Sequence, residues 1–261
     1  MCVCDPMCAM RERALINDFI NRSFREVADK DYIAARISYR YGLAQQFLWF
    51  SQQALEKYLK AILLYNGKPT KNLNHNVMAA LSEVHNIDDI PFKIPKDVEA
   101  FVKYVDDYGV NRYFEYPYYL IGHECLQLDK AVWNIRRYCF QMRSSLKKQD
   151  GTVVDLFPYE IEKANHPFFI DKPNKYSISG GYLEKVLNDK RSTLRKQLVW
   201  KNFYYGSYAK KTVRNYKKQS SSANPTHYLH PEVFNELDKL VKFSKPVRDY
   251  FLSKIAYESR K

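Results

Sequence analysis

The sequence predicts a mainly α-helical chain, and three observations carry that expectation. Apolar residues recur at helical spacing through most of the first 150 positions. Only 8 of the 261 residues are glycine, too few for a fold assembled from many tight turns. No stretch approaches the roughly 18 uninterrupted apolar residues of a membrane span, so no membrane partner is expected.

Taken in order, Glu12 to Ala28 and Asp31 to Arg40 carry the helical period. The run "FLWFSQQALEKYLKAILLYNG" comes next, from Phe47 to Gly67. Its apolar arc holds Phe47, Leu48, Leu55, Tyr58, Leu59 and Ile62 and covers about half the circumference, wider than a single neighbouring helix would cover. That width predicts neighbours on two sides and argues for a homodimer through the bundle. Gly67 and Pro69 stop the helix. Asn74 is placed to cap a short helix over Val77 to Val84, Pro95 opens another through Val102 and Val105, and a long helix is expected from Ile121 to Leu146.

The period breaks near Gln149 to Thr152, and Pro158, Pro167 and Pro173 punctuate the stretch up to Lys175. Gly180 and Gly181 precede a helical run from Tyr182 to Arg195. The stretch "LVWKNFYYGSY" reads as helix or strand, with helix preferred. Two proline-started helices close the chain, at Pro231 and Pro246. The expected organisation is a tail at 1–17, an antiparallel helical bundle at 18–148, a linker at 149–175, and a basic, mostly helical extension at 176–261.

Charge is distributed unevenly. The chain carries a formal +13, and residues 151–261 hold 21 Lys and Arg against 11 Asp and Glu, so most of the excess lies there. No acid occurs between Lys190 and Tyr228, whereas Lys190, Arg191, Arg195, Lys196, Lys201, Lys210, Lys211, Arg214, Lys217 and Lys218 all do. Aromatic residues, Tyr204 and Tyr205 among them, are interleaved with these cations. Cations bind phosphates with release of counterions, and rings stack on unpaired bases, so the pattern suits a single-stranded nucleic acid. The competing reading is that the rings are core and the lysines a solvated skin.

The five cysteines are odd in number, which argues against a disulfide framework and, with no signal-peptide pattern, for a cytoplasmic protein. Cys2, Cys4 and Cys8 lack a nearby fourth donor for zinc, so no metal and no cofactor is expected.

The polar side of the Phe47 to Gly67 helix carries Gln52, Gln53, Glu56, Lys57 and Lys60, either a solvated face or a functional motif. With Asp31, Ala34 and Ala35 before it, "NHNV" after it and "YGVNRYFEYPY" later, this stretch resembles the HEPN domain family over about residues 18–146. The matching positions are Gln53, Glu56, Lys57, Lys60, His75, Arg112 and Tyr113. The resemblance implies a compact antiparallel bundle, commonly dimeric, that binds nucleotide or nucleic acid, cuts RNA without metal, or pairs with a nucleotidyltransferase. The ribonuclease branch uses an Arg-x(4 to 6)-His motif, and none of the six histidines has an arginine at that spacing. His123 follows Arg112 with ten residues between, which leaves an atypical site as the alternative and a core or interface position as the preferred role of His123. No catalytic residue is assigned, and a binding module is expected.

Overall fold

The computed structural model describes residues 6–109, 118–120, 122–140, 145–147, 149–206, 220–222, 231–241, 243 and 245–258. It is mainly α-helical. Helices α1 (Pro6–Ile20) and α2 (Glu26–Arg40) run on from one another through a π-helical stretch at Asn21–Arg25, so helix begins at Pro6, inside the segment expected as a tail. Helix α3 (Ala44–Tyr65) follows, then α4 (Val77–His85), α5 (Lys96–Gly109) and α6 (Glu124–Arg136).

Helix α3 is the central element. Phe47, Leu48, Leu55, Tyr58, Leu59 and Ile62 are all buried, and α2, α4, α5 and α6 pack around them. The wide apolar arc is thus covered by helices of the same chain, and its width no longer argues for a second copy. Helix α3 ends as its sequence dictates. Gly67 takes φ 68°, while the amides of Gly67 and Lys68 donate to the carbonyls of Leu64 at 3.0 Å and Leu63 at 2.9 Å. Gly109 lets α5 touch α3: a Cβ there would lie 2.4 Å from the Gln52 Cβ.

The start of α4 differs from the expected cap. Asn76, not Asn74, accepts the Ala79 amide at 2.6 Å, and Asp106 on α5 accepts the Val77 amide at 2.8 Å. Helix α6 is shorter than the helix expected from Ile121 to Leu146. It ends at Arg136, where the Tyr138 and Cys139 amides fall back on the carbonyls of Ile135 and Arg136. Cys139 and Phe140 are buried, which prolonged the apolar pattern past the true end.

Residues beyond the bundle extend its core. The stretch expected as a linker holds β3 (Val153–Asp155), paired antiparallel with β2 (Ser145–Lys147), then α7 (Phe157–Asn165) and α8 (Pro167–Asp171). The run expected as one helix from Tyr182 is two, α9 (Tyr182–Asn188) and α10 (Thr193–Val199). Asp189 breaks it, its carboxylate accepting the Arg191 amide at 3.0 Å and its carbonyl the Ser192 amide at 3.1 Å. Ala164, Leu183, Val186 and Leu198 belong to the same apolar cluster as α3. Strand β1 (Tyr118–Leu120) pairs antiparallel with β4 (Ser220–Ser222), with Leu120 opposite Ser220. Helices α11 (Phe234–Leu240) and α12 (Lys245–Glu258) form a separate small cluster, in which Phe234 stacks on Phe251 at 4.6 Å.

Two buried ion-pair networks tie these later elements to the bundle. Arg136 donates to Asp29 from Nε at 2.7 Å and from Nη2 at 2.9 Å. The same guanidinium donates to Glu184 of α9 at 2.8 and 2.7 Å. Tyr58 donates to Asp29 at 2.6 Å, and the Leu183 amide donates to it at 3.3 Å. Gly181 lies against this assembly, since a Cβ there would stand 1.9 Å from a Glu184 oxygen. In the second network Arg36 pairs with Asp129 and donates to the Trp200 carbonyl, Tyr32 donates to Asp129 at 2.6 Å, and Asn202 donates to the Tyr32 hydroxyl at 2.8 Å. Burial and the Asp129 charge push the Tyr32 hydroxyl far above the usual tyrosine range, so it stays a donor.

A buried charge left without its partner is costly. Arg136→Met is therefore expected to destabilise the protein by about 3–5 kcal/mol in urea unfolding. Burial alone would raise the Glu184 pKa, but the Arg136 charge, its hydrogen bonds and the Ile178 amide outweigh burial and hold it down to about 2, against an ordinary 4.5. A depressed pKa stabilises fully above the unfolded value, and that stabilisation is lost as pH falls through the folded one. The urea midpoint should therefore drop between about pH 5 and about pH 2, and drop less in Glu184→Gln.

Candidate functional site

The polar stripe of α3 is a closed hydrogen-bonded network, not a solvated coat. Gln52 is fully buried and Glu56 is 5% exposed. Glu56 accepts from Lys60 at 2.6 Å, from Gln52 at 3.4 Å, and sits 3.2 Å from His75 Nδ1. Gln52 donates at 2.9 Å to the His75 carbonyl, and Lys60 donates to the Asn74 carbonyl. Asn74 takes a left-handed φ of 45°, which turns that carbonyl region toward α3. Gln53 donates to Gln52 at 2.6 Å, and Lys57 reaches Asp31 on α2 at 2.7 Å. The motif positions Gln53, Glu56, Lys57, Lys60 and His75 are therefore brought together. Their bonds tie α3 to α2 and to the loop before α4.

Arg112 and Tyr113 lie outside the described residues. His123 is exposed just before α6, where the Glu124 side chain accepts the Gly122 amide at 2.9 Å. It is therefore not a core residue of this chain, contrary to one of the roles expected for it.

The basic segment is placed in part. Lys190, Arg191 and Lys196 are exposed around α9 and α10. Arg195 is half-buried and donates from Nε to the Leu187 carbonyl at 2.8 Å. Lys201 holds φ 50° with its ammonium 5.3 Å from the Trp200 ring centre. Lys210, Lys211, Arg214, Lys217 and Lys218 lie outside the described residues.

The rings beside these cations turn inward. Tyr204 stands 5.8 Å from Trp133, and Tyr205 stands 5.8 Å from Tyr32. The stretch "LVWKNFYYGSY" is neither long helix nor strand up to Gly206. Buried Asn202 organises it as a turn, donating to the Leu198 carbonyl at 3.0 Å and accepting the Tyr204 and Tyr205 amides at 2.9 and 3.1 Å. The same asparagine hydrogen-bonds Tyr32 across 170 positions, and periodicity carries no signal of that partnership.

No cluster of three or more His, Cys, Asp or Glu suited to a metal occurs among the described residues, and none of their helices is long and apolar enough to cross a membrane. The side chains of Cys2, Cys4 and Cys8 lie outside the description.

No curated protein and no solved structure matches the chain. One family model does match, that of the HEPN domain, over residues 22–137.

The stripe makes a stability prediction. Glu56→Ala removes the buried carboxylate that accepts from Lys60 and Gln52, leaving the Lys60 ammonium and the Gln52 amide nitrogen each only its backbone-carbonyl acceptor. It is expected to cost about 1–3 kcal/mol in urea unfolding, while the exposed Lys68→Ala costs under about 0.5 kcal/mol. Equal, negligible losses in the two variants would return the stripe to a solvated face.

Proposed function

From the match of residues 22–137 to the HEPN domain model we propose that the protein is a nucleic-acid-binding module whose affinity comes chiefly from the cationic segment that follows those residues. The observation that carries this reading is the placement of Lys190, Arg191 and Lys196. All three are exposed on or beside α9, which the buried Arg136–Glu184 ion pair anchors to the bundle, and α10, whose Gln197 carbonyl accepts from Arg36, at the head of a run with no acid until Glu232. Phosphates are drawn to such a run because no carboxylate within it competes for the cations. The α3 stripe is a poorer candidate. Lys57 and Lys60 are already paired with Asp31 and Glu56.

Single-stranded RNA is the favoured ligand, because a flexible strand can bring successive phosphates to a run of cations. Rings packed as Tyr204 and Tyr205 are leave charge to supply most of the affinity. The domain acts here as a binder. A ribonuclease is the second reading, favoured by the exposure of His123, which has ten residues between it and Arg112. A partner nucleotidyltransferase and a cytoplasmic site of action remain part of the proposal, resting on the family resemblance and on the odd cysteine count.

Affinity for a labelled single-stranded RNA should fall with salt by roughly 0.7 log units per contacted phosphate for each log unit of salt. Replacing Lys210, Lys211, Lys217 and Lys218 by Ala should flatten that slope and weaken binding, while Lys57→Ala with Lys60→Ala should do much less. Equal losses in the two variants, or a parent without salt dependence, would return the segment to a solvated surface. In the same preparation a mixed RNA pool should stay intact. Cleavage abolished by both Arg112→Ala and His123→Ala would establish the second reading instead.

A further inference from the structure

A cavity of about 480 Å³ opens between the turn at Asn174–Ser177, α9, α10 and the turn ending at Gly206. Its wall includes Lys175, Tyr176, Glu184, Asn188, Arg195 and Tyr205. All of them lie outside the matched domain, so the cavity belongs to the later part of the chain.

Its charge can be assigned residue by residue. Glu184 is the carboxylate on the wall, and its oxygens are occupied: Arg136 holds both, at 2.8 and 2.7 Å, and the Ile178 amide donates to Oε1 at 2.9 Å. Arg195 uses Nε on the Leu187 carbonyl at 2.8 Å, which fixes the side chain and leaves its terminal nitrogens for another acceptor. Among the described residues neither Arg195 nor Lys175 pairs with a carboxylate. The cavity thus carries two cations without a carboxylate partner among the described residues, beside a buried triad of Arg136, Asp29 and Glu184 whose net charge is one negative. Asn188 adds an amide that both donates and accepts, and Tyr176 and Tyr205 add aromatic walls.

We infer that this cavity binds a phosphorylated nucleotide, its phosphate held by Arg195 and Lys175 and its base enclosed between the tyrosines and Asn188. The volume lies within the range of small-ligand sites, about 300–1,000 Å³, and is far more than a bare phosphate needs. An anchored guanidinium suits phosphate recognition because its fork is already oriented. The inference rests on the nucleic-acid reading only for the choice of a nucleotide over other phosphate esters. The nucleotide is either free or the terminal residue of a strand.

Calorimetric titration of the full chain decides it, with adenosine monophosphate and adenosine as probes. The monophosphate should bind more tightly than adenosine. Lys175→Ala and Arg195→Gln should each weaken monophosphate binding by about tenfold, the loss expected for one charged hydrogen bond. Lys68→Ala with Lys71→Ala, exposed and outside both the cavity wall and the cationic segment, should leave it unchanged. Lys175 is exposed and its side chain makes no bond to the described residues, so its variant keeps the test open if Arg195→Gln misfolds. Equal binding of monophosphate and adenosine, or no effect of Lys175→Ala, overturns the assignment.

Two RNA oligomers that differ only in a 5′-phosphate separate the sources. Tighter binding of the phosphorylated one, lost in Lys175→Ala, identifies a strand end, and equal binding identifies the free nucleotide. A chain that binds RNA but no monophosphate overturns the cavity site and leaves the strand-binding proposal standing. Binding of the monophosphate without RNA does the reverse.

Discussion

One guanidinium holds the two parts of this molecule together. Arg136 closes α6 and is shared between Asp29 of α2 and Glu184 of α9. It is 2% exposed, and Asp29 is fully buried. Charges that far from water are tolerable only when each is paired and its remaining bonds are satisfied. Arg136 alone does not satisfy Asp29, which also takes bonds from Tyr58 and from the Leu183 amide. The second network follows it in part: Arg36 completes its bonding on the carbonyls of Trp200 and Gln197, while Asp129 Oδ2 has no hydrogen-bond partner among the described residues. The bundle therefore has buried polar groups that the later segment completes. Residues 157–200 extend its core accordingly.

That attachment shapes the functional reading. A cationic run on a loose tail would bind phosphate as a polymer of charge. Here the run begins in the turn between two short helices that pack on the bundle, and the turn at Asn202 places the neighbouring tyrosines in packing contacts. Under the proposed reading, the cavity beside Arg195 is one place where shape adds to charge. The strand pairing of Leu120 with Ser220 adds a further tie. It brings the chain three residues before His123 alongside the chain two residues after Lys218.

Much of the bundle was legible in the sequence because local physics sets it. The apolar period of α3, its glycine stop and the family motif all lie within a few turns of chain. The role of the stripe was not legible: periodicity marks Gln52 and Glu56 as polar, but a buried network and a solvated face give the same pattern until the loop at Asn74–His75 is seen folding over them. The end of α6 was missed because buried Cys139 and Phe140 continue the apolar pattern through a turn. The ion pairs were invisible for a different reason. Arg136 and Asp29 are 107 positions apart, and Arg36 and Asp129 are 93 apart, so nothing in either neighbourhood names the partner. Lys190, Arg191 and Lys196 are exposed, which both readings of the segment expect, and Tyr204 and Tyr205 pack beside Trp133 and Tyr32, as the competing reading holds.

Native-state hydrogen exchange tests most directly whether the later segment and the domain are one cooperative unit. Amides of α9 and α10 should be protected nearly as strongly as those of α2 and α3, and should lose protection together with them as urea is added, because opening either side strands the same buried charges. If α9 and α10 exchange through an opening of much lower free energy while α2 and α3 stay protected, Arg136 does not couple the two, and the cationic segment is an appendage to a self-sufficient bundle.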